Sequence, residues 1–128
     1  MKAELDRVNE LQLWDFEASP LTDGRVTVLG SNDFDYYHHV EMEFSGVTSC
    51  DLPAMFSHAE FLLSPSIDPD EPGPKTVYVF GQSKVDLRTE FTLRAESVAV
   101  TIGTVYYYQR ENLKPGERIA PWARKTPG

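Results

Sequence analysis

Along most of this chain polar and apolar residues alternate with the period of two that places successive side chains on opposite faces of a strand, and only the start carries helical spacing. Leu5, Val8, Leu11 and Leu13 predict a short helix that hands over to a strand around Leu11–Phe16. Ser19-Pro20 and Asp23-Gly24 are turn residues, because proline presets φ and glycine accepts φ above zero, and they introduce a β-branched strand over Arg25–Leu29. After the turn Gly30–Asp33 the alternation is cleanest. Tyr36, His38, Val40, Met42 and Phe44 are predicted on one face, with Tyr37, His39, Glu41 and Glu43 on the other.

Asp51–Phe56 reads as one helical turn, with Asp51 as its cap and Pro53 in the first turn, where a missing N–H is no loss. Phe61–Leu63 is a short strand. Ser64–Lys75 then holds Pro65, Pro69, Pro72 and Pro74, which cannot donate to a ladder and predict an exposed loop. Three strands follow: Thr76–Phe80; Val85–Ala95, with Leu87, Thr89, Phe91, Leu93 and Ala95 inward; and Ser97–Tyr108, with Val98, Val100, Ile102, Thr104, Tyr106 and Tyr108 on one face. The short link at Ala95-Glu96-Ser97 suggests that the last two form a hairpin, and Gly103 suggests a bulge or bend. The fold class expected is mainly β, an antiparallel β-sandwich or partly open barrel with one or two short helical turns. Residues 1–111 form a single domain on this reading, and residues 112–128 a C-terminal tail that packs through Trp122 or frays.

The length of 128 residues is enough for one domain to bury a core without metal or disulfide, and Cys50 is the only cysteine. The first eighteen residues are charged and carry no apolar run of signal-peptide length, and no stretch is long and apolar enough for a membrane. A cytoplasmic protein without a membrane partner is the expectation. Charge is divided unevenly: residues 1–74 hold fifteen Asp/Glu against three Lys/Arg, and residues 75–128 hold five against nine. Either the halves pair across the domain or the first half offers an acidic surface to a basic partner. Scattered Lys and Arg make no patch for a phosphate backbone, so nucleic acid is not an expected partner.

His38 and His39 with Asp35, Glu41 and Glu43 are the densest group of metal-ligating side chains, and His38, His39 and Glu41 the metal candidates among them, weighed against a plain solvated strand face. His38, pointing with Val40 and Met42, reads as a hydrogen-bonded histidine at the core edge. No phosphate-cradling loop, dinucleotide fingerprint, nucleophile elbow or paired-cysteine motif is present, so no cofactor is predicted and no catalytic residue is assigned. Tyrosine gives large contact area at low entropic cost and carboxylates steer a basic partner. Asp33, Asp35, Tyr37, Glu41, Glu43 and Tyr107 are therefore the candidate partner-binding residues, with plain cross-strand packing as the alternative for the two tyrosines.

The segment His39-Val-Glu-Met-Glu-Phe-Ser-Gly-Val47, followed by Asp51-Leu-Pro and Met55-Phe56, resembles small uncharacterised bacterial domains, some similar to immunity proteins of contact-dependent or polymorphic toxin systems. The resemblance implies a cytoplasmic inhibitor that holds one toxin tightly. Three functions follow as expectations: a non-enzymatic protein-binding module with an acidic face; a small-ligand or carbohydrate binder with an interior lined by Tyr106, Tyr108 and Phe91; and a metal-assisted enzyme on His38, His39 and Glu41. A homodimer through the long strand 97–108 is a further possibility.

Overall fold

In the computed structural model, which describes residues 1–65 and 72–124, the alternating segments become strands and the one helically spaced segment a helix. The elements are α1 (Lys2–Glu10), β1 (Asp15–Ala18), β2 (Arg25–Ser31), β3 (Tyr37–Ser45), β4 (Ser49–Cys50), β5 (Met55–Leu63), β6 (Lys75–Gln82), β7 (Glu90–Ala95), β8 (Ser97–Tyr108) and β9 (Arg118–Arg124). The strands form one sheet in the order β4-β7-β6-β5-β1-β2-β3-β8-β9, antiparallel except where β9 runs parallel to β8. It curls into a half-barrel, so the mainly β class and the partly open barrel hold.

Curling brings the inward residues of distant strands into one core. Val26, Val28, Val40, Met42, Phe44, Phe61, Val77, Val79, Phe91 and Leu93 are almost wholly buried in it. Phe16 stacks on Phe56 at 5.5 Å between ring centres and meets Phe61 edge-on at 5.3 Å. A helix as short as α1 is marginal by itself. It is held by Leu5 and Val8, which sink into the core, and by Asn9. β1 reaches only Met55–Ser57 of β5, so the Phe61 backbone groups that point away from β6 lack a strand partner. The Asn9 amide fills that place: its N–H donates to the Phe61 carbonyl at 2.8 Å and its oxygen accepts the Phe61 N–H at 2.9 Å.

The structure corrects several expectations. β7 and β8 are not a hairpin: Ala95 pairs with Lys75 of β6, whereas Ser97 pairs with Ser45 of β3. A tight hairpin turn needs residues suited to positive φ, and Ala95-Glu96-Ser97 has none. The chain instead crosses from one half of the curled sheet to the other at Glu96, whose N–H donates to Ser45 O at 3.0 Å. Gly46 makes room for this corner, since a Cβ there would stand 2.6 Å from the Glu96 side chain. Asp51–Phe56 forms no helical turn. The backbone of Asp51 continues toward β7, with its N–H on Thr92 O at 3.1 Å, and its carboxylate accepts the Thr92 N–H in return at 2.6 Å. β7 begins only at Glu90, which leaves Leu87 out of the core.

Half of the expected proline-rich loop, residues 66–71, lies outside the described residues; its ends are not exposed, since Ser64 and Lys75 are buried, Lys75 opens β6 and the Ser64 N–H donates to Thr76 O at 3.0 Å. The last segment contributes β9 to the sheet edge, and Trp122 rests on Tyr107 with 4.6 Å between ring centres. Pro121 sits on this edge strand, where the missing N–H is tolerated, and the pairing slips between Tyr106↔Ile119 and Tyr108↔Arg124. Among the described residues no helix is long and apolar enough to cross a membrane.

Asn9→Ala removes both bonds to a part-buried backbone and is expected to lower stability by about 1–3 kcal/mol, against a change within about 0.5 kcal/mol for the exposed neighbour variant Glu10→Ala. Urea titration of the two variants measures this; equal midpoints would mean that water serves Phe61 as well as Asn9 does.

Candidate functional site

The positions of the candidate residues turn on one irregularity. From Ser45↔Ser97 to Val40↔Ile102, β3 and β8 pair in constant register, but the next pair is His38↔Val105, so two residues of β8, Gly103 and Thr104, oppose His39 alone. Such a bulge changes which way the flanking side chains point. Val40, Met42 and Phe44 face the core as predicted, with Val98, Val100 and Ile102 opposite. Beyond the slip the predicted alternation of β3 fails. His38 stands beside Glu41, three positions on, while Tyr37 and His39 turn to the side where Leu11 and Leu13 lie. Gly103 is required for a second reason: a Cβ there would lie 2.5 Å from the carbonyl oxygen of Gly116, in the loop leading to β9.

On the reverse side, Tyr107, Val105 and Ala120 make a small second core beside His38. His38 is 6% exposed and Tyr107 7%. His38 Nε2 donates to Glu41 Oε1 at 2.9 Å, and Arg118 of β9 donates to the same oxygen at 3.0 Å. In the neutral tautomer this leaves His38 Nδ1 to accept the Tyr107 hydroxyl proton at 2.6 Å. Burial opposes ionisation of Glu41, yet the hydrogen bonds from His38 and Arg118 outweigh it and hold its carboxyl below the ordinary range. Burial, reinforced by the charges of Glu17 and Glu41, pushes the Tyr107 hydroxyl up to about 12. Trp122, Tyr107, His38, Glu41 and Arg118 thus fasten β9 to β3 across β8.

On the other side, an open cleft of about 620 Å³ lies between the C-terminal end of α1 and the bulged strands. Tyr37 and His39 of β3, Thr104, Tyr106 and Tyr108 of β8, and Tyr36 and Asn32 of the β2–β3 turn line it, with Arg110 at the rim. Tyr108 meets Tyr106 edge-on at 5.7 Å and Tyr36 at 6.2 Å. The Arg110 guanidinium lies over the Tyr106 ring at 4.2 Å and donates to the Tyr108 hydroxyl at 2.9 Å. His39 Nδ1 meets the Thr104 hydroxyl at 3.1 Å.

A second groove, about 490 Å³, runs between the β2–β3 turn and the loop after β6. Asp15, Asp33 and Asp35 line it together with Phe34, Met55 and Val85 and a single cation, Lys84. The loop beyond projects Val85 and Leu87, 88% and 98% exposed. It does so on a braced backbone. Arg88 holds Asp86 through two nitrogens, at 2.7 and 3.1 Å, and reaches Asp51 at 3.0 Å.

The candidate partner-binding residues are therefore dispersed. Asp33 and Asp35 share the acidic groove, Tyr37 belongs to the tyrosine cleft, Glu41 is bound to His38 and Arg118, and Glu43 pairs with Arg25 at 3.3 Å. Tyr107, for which partner contact and cross-strand packing were the two alternatives, is buried under Trp122. His38, His39 and Glu41 do not converge, because the bulge sends His39 to the opposite side, and among the described residues no three His, Cys, Asp or Glu side chains are placed to hold a metal ion. Phe91 lies in the main core, away from the cleft that Tyr106 and Tyr108 line. Sequence reasoning missed Arg110, Asn32 and the Val85–Leu87 loop. Comparison with family models, curated proteins and solved structures finds no match to this chain.

A carboxyl held below its unfolded value stabilises the fold above that value, and the contribution disappears as pH falls through the folded pKa. Glu41→Gln is expected to lose up to about 1 kcal/mol at pH 7, the discounted value of a part-exposed pair, with the gap to wild type narrowing as pH falls below the ordinary carboxylate range. Chemical denaturation across pH checks this; a gap that does not narrow with falling pH would assign the loss to packing rather than charge.

Proposed function

We propose that this chain is a non-enzymatic protein-binding module whose binding face is the acidic groove and the loop beside it. The observation that carries this reading is the exposure of Val85 and Leu87 on a backbone braced by Arg88. Two aliphatic side chains held out in water together offer apolar area that a partner can bury. Asp15, Asp33 and Asp35 border the same groove, so the partner that fits is a basic protein, attracted at long range by carboxylates and anchored by apolar contact. Asp33 and Asp35 keep the role the sequence suggests for them, whereas Glu41, Glu43 and Tyr107 serve the fold. An immunity protein that neutralises a basic toxin in the cytoplasm fits this face, and it is the function that the resemblance in residues 39–56 implies. The lone thiol suits that compartment, since burial raises the pKa of Cys50 and keeps it unreactive.

Val85→Asp combined with Leu87→Asp is expected to leave stability within about 0.5 kcal/mol, since both positions are solvent-exposed. Immobilised wild type should retain a basic protein from host lysate in stoichiometric amount, released as salt rises, and the double variant should retain at least tenfold less. Equal retention by both proteins sinks the proposal. Concentration-dependent self-association that the double variant abolishes would assign the loop to a homodimer instead.

A further inference from the structure

The tyrosine cleft points to a second site, separate from the groove except for Asn32 at their boundary. We propose that it binds a hydroxylated ring bearing a carboxylate, an acidic sugar of the hexuronic class. Its volume, about 620 Å³, lies within the range of small-molecule sites. Tyrosines set edge-to-face to one another present ring faces and hydroxyls together, which suits a ligand with an apolar face and a polar rim.

Arg110 selects among such rings. Its guanidinium lies over Tyr106, with one nitrogen donating to the Tyr108 hydroxyl, and among the described residues no carboxylate lies within ion-pair distance of it, Glu117 acting on it only from farther off. A guanidinium has five N–H donors in a planar fork, so an oriented Arg110 retains donors for a bidentate carboxylate from outside. Tyr106 is fixed in turn by its hydroxyl bond to Glu117 at 2.7 Å, which limits how far the platform can move. Elsewhere along the cleft the chemistry changes from charge to neutral hydrogen bonding. His39 engages Thr104 through Nδ1 only, and the Asn32 carbonyl accepts the Trp14 N–H at 2.9 Å while its amide N–H groups remain as donors. Neutral donors and acceptors at one end and a cation at the other match ring hydroxyls and a carboxylate on one ligand. A simple carboxylic acid would use Arg110 alone, and a neutral sugar would leave it unused.

The test is a titration of the full chain followed by amide chemical shifts, with glucuronate, glucose and acetate as probes. Glucuronate is expected to saturate, with shifts confined to the cleft residues and a Kd at least tenfold below those of glucose and acetate. Arg110→Met, at an exposed rim position, should weaken glucuronate at least tenfold and leave glucose unchanged. A uronic-acid tetramer that binds more tightly than the monomer would identify a polysaccharide as the source, and equal affinity a free sugar; both uphold the site. Failure of glucuronate to saturate by about 10 mM, weaker than a selective small-ligand site, overturns the proposal. So does binding of acetate or glucose as tight as that of glucuronate, read on the wild type alone should the variant not fold.

Discussion

One residue of slip between β3 and β8 decides what each side of this molecule can do. With unbroken register, Tyr37, His39, Glu41 and Glu43 would form a single polar row. The extra residue at Gly103-Thr104 breaks that row into a cleft lined by Tyr37 and His39 and a reverse-side lock in which Glu41 serves His38 and Arg118. The same bulge creates the place where the loop before β9 descends, because only glycine at position 103 lets the Gly116 carbonyl approach so closely. Cleft, lock and terminal strand therefore have one origin.

The lock answers a difficulty of the topology. A parallel strand added at a sheet edge usually follows a crossover of a dozen residues or more, and here only residues 109–117 separate β8 from β9. Backbone pairing along this edge is interrupted at Pro121, so side chains must supply much of the hold. Tyr107 under Trp122 and the bonds through His38 and Glu41 to Arg118 do so. At the opposite margin β4 contributes only two residues, and the Asp51 carboxylate extends its pairing to Thr92. Both margins are short or interrupted, which limits the exposed ladder that another chain could extend.

Local signals in the sequence marked the strands well because each has a face that must be buried: Val40, Met42 and Phe44, and Phe91 and Leu93, went where alternation placed them, and Val26, Val28, Val77 and Val79 supply the buried faces of β2 and β6. Pairing between distant segments was less legible. Ala95-Glu96-Ser97 looks the same whether its strands return on one another or pass to opposite halves of a curled sheet, and the choice is made by β6 and β3, more than twelve residues away in sequence. Asp51 carries the helix-capping chemistry and spends it on a β strand. The bulge was half legible: Gly103 marked its place, but its effect lies on the partner strand, where nothing in Tyr36–Phe44 records a change of face. Arg110 could have been found as a cation shortly after Tyr106-Tyr107-Tyr108, within reach of two of those rings.

The uneven charge of the two halves is resolved in part inside the fold. Arg118 meets Glu41 and Arg88 meets Asp51, each joining the basic second half to the acidic first half. These pairs remove from the surface some of the carboxylates that composition alone would assign to a binding face. Asp15, Asp33 and Asp35 line one groove together, beside the two aliphatic side chains that the braced loop exposes. Net charge thus describes the chain poorly as a ligand. A basic partner fits where carboxylates and exposed apolar atoms coincide, and an acidic sugar fits Arg110, a cation oriented by aromatic rings that forms no ion pair among the described residues, Glu117 acting on it only from beyond contact distance. An acidic protein can hold both sites because, at physiological ionic strength, charges on exposed surfaces act over about 8 Å, so each site answers to its own neighbours rather than to the sum.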